Sequence, residues 1–108
     1  MAEKGGRLPT KEEFSQQVDK TFCVSASEGP EFDVSLLEFT DIADTDTVET
    51  FSLLFRAPSH IGRAQGIYHL ENDEMGSMDI FLVPIRQDEQ GLYFEAVFNR
   101  LKEKGASA

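Results

Sequence analysis

The spacing of hydrophobic residues along this chain changes once. Phe14 and Val18 stand four apart, a separation that puts both on one face of a helix. From Phe22 onward apolar and polar residues alternate, which is the period of a strand. The stretch Thr10-Lys11-Glu12-Glu13 supplies the helix start. The Thr10 hydroxyl can accept from the Glu13 amide while the Glu13 carboxylate reaches back to Thr10. Glu12 and Glu13 also face the positive end of the helix dipole. The pattern predicts a helix over residues 10–20, with an apolar stripe so thin that it can only cover a core.

Six strands follow. Phe22, Val24 and Ala26 point one way, and the cluster Ser27-Glu28-Gly29-Pro30 ends that strand. Phe32, Val34 and Leu36 alternate until Leu37 and Phe39 continue in the opposite phase, which predicts a bulge or a strand covered on both faces. Phe51, Leu53 and Phe55 line the third strand, which Pro58 stops, and an irregular loop spans residues 59–65 before a strand at 66–71. Residues 72–76 have hairpin composition, with Gly76 available for a positive φ. Residues 78–85 are nearly all apolar and read as a central strand buried on both sides, with Pro84 near the end of its pairing. Gln87-Asp88-Glu89-Gln90-Gly91 is a second hairpin loop, and residues 92–98 close the sheet.

After residue 20 no connection is long enough for the helical crossover that parallel strands require. The expected fold is therefore α+β and mostly β: about six antiparallel strands in a small barrel or two-layer sheet, with one N-terminal helix packed on it. Residues 1–9 read as a flexible leader, 10–101 as one β-rich domain, and 102–108 as a flexible tail. With 108 residues the chain holds one core, and folding needs no cofactor or crosslink.

Charge narrows the partners. Twenty acids against ten basic residues leave a net charge of −10. A nucleic-acid binder must neutralise phosphates with Lys and Arg, so nucleic acid and anionic membranes are excluded as partners, and a protein with a basic surface is the partner expected. Residues 21–55 carry eight acids and no Lys, Arg or His. Five of them, Glu38, Asp41, Asp44, Asp46 and Glu49, fall within twelve residues around one expected loop, and form the candidate partner-contact surface. Weak cation binding by this loop, 38–49, is an alternative, although the order of a calcium-binding EF-hand loop is absent. Its commonest meaning is a solvated turn.

Catalytic groups are sparse. One cysteine, Cys23, and two histidines, His60 and His69, show no metal-ligand spacing. No phosphate loop or nucleophile elbow occurs, so an enzyme is not expected and no catalytic or cofactor-binding residue is assigned. The competing reading is a small-ligand binder or enzyme at a barrel mouth, with His60, Arg63 and Tyr68 at its rim. Nine Phe mostly serve the core, and any left outside would mark a protein–protein surface, as would an open sheet edge. The sequence has neither a signal-peptide h-region nor an apolar run long enough for a membrane span. The cytoplasm is the default compartment, with signal-less export left open.

Residues 36–99 resemble a small bacterial domain family of unknown function. The matching stretches are FSLLFRAP at 51–58, QGIYHL at 65–70, Met75-Gly76, FLVPI at 81–85 and FEAVFN at 94–99. Ala57 departs from the pattern, where glycine would precede the proline. The N-terminal third lies outside the resemblance. The resemblance implies a compact β domain, often encoded beside phage-tail-collar-like proteins. That implies an accessory or assembly role, and it supplies no catalytic residue. The function expected is a non-catalytic interaction module of a larger assembly.

Overall fold

A computed structural model describes residues 9–25, 30–61 and 64–101. In chain order the elements are α1 (Lys11–Ser15), β1 (Thr21–Ser25), β2 (Phe32–Asp44), β3 (Val48–Ala57), β4 (Gly66–Asn72), β5 (Gly76–Asp88) and β6 (Gly91–Leu101). All strand pairs are antiparallel, and the sheet closes on itself in the order β1-β2-β3-β6-β5-β4. Ring closure falls to β1, whose Cys23 and Val24 each have partners in both β2 and β4. Most of the expected leader and tail, residues 1–8 and 102–108, lies outside the described residues, as do Ala26 and the turn residues 27–29.

Alternation places the core. Phe22, Val24, Val34, Leu36, Phe51, Leu53, Phe55, Leu70, Leu82, Leu92 and Phe94 point inward and are almost wholly buried. Aromatic edges meet inside: Phe22 against Phe55, and Tyr68 against Phe94. The reversal of phase at Leu37 is a bulge, since β2 pairs with β3 at Leu36 and again at Glu38 with a shifted register. β2 shifts again between Asp41 and Ala43, and a third shift follows Pro84 of β5, beyond the last β4 partner at Leu82.

Three expectations are corrected. The helix is one turn, not residues 10–20. Its capping box forms as drawn, with Glu13 N–H donating to the Thr10 hydroxyl at 3.1 Å and Thr10 N–H to Glu13 Oε1 at 2.9 Å. It ends at a Gln16 cap, where the Gln17 amide tightens onto the Phe14 carbonyl, and past that turn Asp19, left-handed at φ 76°, gives its amide to Leu36 of β2 at 2.7 Å. Residues 78–85 are not buried on both sides: Met78, Ile80 and Leu82 face in, whereas Phe81 and Ile85 are exposed. A closed ring covers only one face of each strand, and among the described residues nothing packs on Phe81 and Ile85 outside β5. Finally, Pro9 belongs with the domain and not with a leader, because it is buried and its carbonyl accepts from Arg100 Nη2 at 2.8 Å.

Two glycines differ in what they permit. Gly76 takes φ 76° in the β4–β5 hairpin with open space around it, while a Cβ on Gly91 would collide with the Ala57 carbonyl oxygen. Gly91→Ala is expected to destabilise more than Gly76→Ala, which should cost about 1 kcal/mol. Urea denaturation of both variants beside the parent measures the order.

Candidate functional site

The five candidate acids do not sit in a loop. Glu38, Asp41 and Asp44 are strand residues of β2, Glu49 is in β3, and Asp46 is in the tight connection between them. That turn is made by Thr45, whose hydroxyl accepts from the amides of Thr47 and Val48. Backbone pairing of Ala43 with Thr50 and Asp44 with Glu49 overrides the poor strand propensity of Asp. Cross-strand partners are set by geometry that the polar side chains do not advertise.

Nor do the five act together. Asp41 and Asp44 turn to the inner side and hold the Lys11 ammonium, at 3.0 and 2.5 Å, with the Lys11 side chain only 9% exposed. Hydrogen bonds to Asp44 and then Asp41 raise the Lys11 pKa well above its ordinary value. Glu49 lies 3.8 Å from Arg100 Nε. That nitrogen is buried without a hydrogen bond, so the nearby charge is what offsets its burial. Glu38 and Asp46 are exposed. β2 meets β1 only at residues 32–35 but β3 as far as Asp44. Glu38, Asp41 and Asp44 therefore lie on a stretch of β2 with no described strand on its other side, where charge disfavours unwanted strand pairing.

The barrel-mouth residues are not assembled either. Tyr68 points inward and donates to the Ala64 carbonyl at 2.5 Å, His60 is exposed in a turn after Pro58, and Arg63 lies outside the described residues. A concave feature lies on the outer wall. It is an open depression of about 630 Å³ lined by Thr21, Cys23, Asp33, Glu71, Asp73 and Ser77, with Asn72 and Gly76. Cys23 is directly opposite Asp33 on one side and Glu71 on the other. Burial, and then the Glu31 carboxylate, push its thiol pKa up. Among the described residues no group of three or more His, Cys, Asp or Glu is placed to hold a metal ion.

Beside the depression the wall becomes apolar. Ile67 of β4 and Phe81 of β5 are direct cross-strand partners, 69% and 51% exposed. Side chains so paired sit about 5 Å apart at Cβ. Val83 continues the line on β5 and is opposite Glu95, which is opposite Leu54 of β3; Val97 follows Glu95 outward on β6. The next outward pair below Ile67 and Phe81 is His69 and Asp79, joined Nδ1 to Oδ1 at 2.9 Å, with Glu71 3.8 Å from His69 Nε2. An apolar band with Asp79, Glu71 and Glu95 among its members thus occupies the outer face of β4, β5, β6 and β3. Sequence reasoning missed this band by reading residues 78–85 as wholly buried. The signal available was the alternation of Met78-Asp79-Ile80, which fixes Phe81 as outward.

A family model described as Domain of unknown function (DUF6916) matches residues 9–98. The chain belongs to that family. The DUF6916 match is wider than the resemblance at residues 36–99, since it takes in α1 and β1, and the N-terminal third is therefore part of the domain. Neither a curated protein nor a solved structure matches this DUF6916 chain. Among its described residues no helix is long and apolar enough to cross a membrane.

Two measurements follow from this wall and its acids. Cys23 of the folded domain should alkylate with iodoacetamide more slowly than in the unfolded chain at pH 8, because a raised pKa leaves less thiolate. Glu31→Gln should speed it, as read by mass spectrometry. Millimolar calcium should leave the amide shifts of residues 41–49 unchanged, since the Lys11 ammonium already occupies the space between Asp41 and Asp44.

Proposed function

We propose that this domain is a non-catalytic protein-interaction module that docks a partner on the outer face of β4, β5 and β6. The observation that carries the reading is the cross-strand pair Ile67–Phe81, two large apolar side chains standing in water at the centre of a rigid wall. Exposed apolar residues grouped on one face, unlike scattered ones, mark contact surfaces. The acids set among them, Asp79, Glu71 and Glu95, choose the partner's chemistry. A matching surface carries an apolar knob ringed by Lys or Arg, and the net charge of −10 steers it in. Self-association through the same face would bring like charges together, which favours a different protein as partner. An accessory place in a larger bacterial assembly, phage-tail-like in kind, suits such a rigid, small, acidic wall.

The test is selection of a displayed random-peptide library on the folded domain. Enriched peptides should combine aromatic or aliphatic residues with Lys or Arg and release at high salt. Ile67→Ser/Phe81→Ser should weaken them by about tenfold or more, roughly 1.4 kcal/mol. Binding that is indifferent to the double substitution, or a library that yields no binder, would overturn the reading.

A further inference from the structure

The segment that covers the inner face of the β2–β3–β6 extension is attached like a bound ligand. Phe14, fully buried, packs against Phe51 and Phe98 with ring centroids 5.9 and 5.3 Å away. Phe39 and Phe98 stack on Phe51 to complete the groove, and the Arg100 guanidinium lies over the Phe51 and Phe98 rings. Lys11 reaches Asp41 and Asp44, the Pro9 carbonyl accepts from Arg100, and Gln17 bonds Glu74 and Asn72 at 2.8 Å each. Every described anchor of residues 9–17 is thus a side-chain contact or the single Pro9 carbonyl. Among the described residues, backbone hydrogen bonds to the sheet begin only at Asp19 and Lys20, which exchange bonds with Leu36.

The connection between strap and sheet carries a second feature. Asp19 is the non-glycine residue with positive φ among those described, at 76°. Asp is one of the few residues with a Cβ that enter this left-handed region readily, and the turn it makes folds the strap back over its own chain. An α1 of five residues has too few internal hydrogen bonds to persist alone, so the groove holds it in shape.

We propose that residues 9–17 are an exchangeable strap, and that the groove of Phe39, Phe51, Phe98, Asp41, Asp44 and Arg100 takes the same segment from a second copy of this chain, giving a strap-swapped dimer. Each contact is then remade with identical partners, so the two forms differ only in the Asp19 turn and in the freedom lost on association. The second copy is the occupant because it carries Lys11 and Phe14 at the spacing the groove already fits. This inference uses a different face from the outer-wall docking reading and stands or falls separately.

Two chains with complementary lesions test it. Lys11→Glu places a carboxylate against Asp41 and Asp44, and Asp41→Asn/Asp44→Lys places an ammonium against Lys11, so each closed monomer is mismatched. In a swapped heterodimer both grooves are matched. Equal amounts held together at raised temperature should give a 1:1 dimer by light scattering, with a melting temperature above that of either chain alone. Adding Phe14→Ala to the Lys11→Glu chain should abolish that dimer. A mixture that stays monomeric with both melting temperatures unchanged would overturn the proposal. So would a heterodimer indifferent to Phe14→Ala, which would report surface attraction instead. Should either variant fail to fold alone, co-refolding from denaturant decides. Recovery of folded heterodimer supports exchange, and aggregation of the mixture like that of the separate chains refutes it.

Discussion

Closure of the sheet through β1 is the constraint on which the other features rest. Five residues, Thr21–Ser25, hydrogen-bond to β2 on one side and to β4 on the other. With β1 in place, Phe22 and Val24 enter the same interior as Leu36, Leu70 and Phe94, and the six strands share one dry space. Without it, β2 and β4 would each offer an open edge and the inner face would be wet. Closure also decides the outside. Once one face of every strand is committed inward, the described residues offer no second layer for the opposite face, and Ile67 and Phe81 are left exposed.

Past β1 the strands outrun the ring. β2, β3 and β6 continue as a three-stranded extension whose inner face cannot borrow cover from β4 or β5, and α1 supplies that cover with Phe14. The polar cost is handled by pairing: Lys11 with two Asp, and Arg100 with Glu49 and the Pro9 carbonyl. A chain with twice as many acids as basic residues uses two of its few cations here. Arg100 lies over the Phe51 and Phe98 rings and Lys11 is nearly enclosed, and a charge so placed is stable only if paired. The acidic cluster is accordingly two populations. Asp41, Asp44 and Glu49 are structural counter-ions, while Glu38 and Asp46 are surface.

Two surfaces with different logic result. The outer wall is fixed by ladder hydrogen bonds on strands whose other face is core, so it is rigid and suits recognition of a preformed shape. The groove under α1 is lined by the same quality of apolar surface but is filled through side-chain contacts and the one Pro9 carbonyl. Belonging to a family of unknown function gives no activity to anchor either surface, and the physical distinction between them is what separates the two proposals.

Much of the fold was written in the local pattern. The capping box at Thr10 and Glu13, the bulge after Leu36, the hairpin glycine at residue 76 and the inward set of Phe22, Phe51, Phe55 and Phe94 are all short-range signals: spacing, turn chemistry, period-two alternation. Antiparallel pairing followed from connections too short to cross over. What spacing could not carry was anything set by strands far apart in sequence. The course of the chain after α1 was set by Leu36, seventeen positions beyond Asp19, and the strand character of Asp41 and Asp44 by pairing partners in β3. Whether Phe81 met a second layer or water depended on ring closure through β1. The candidate site moved for the same reason. Acidity is local and visible, but Lys11 reaches Asp41 and Asp44 from thirty positions away, and only the folded chain brings that ammonium to those carboxylates.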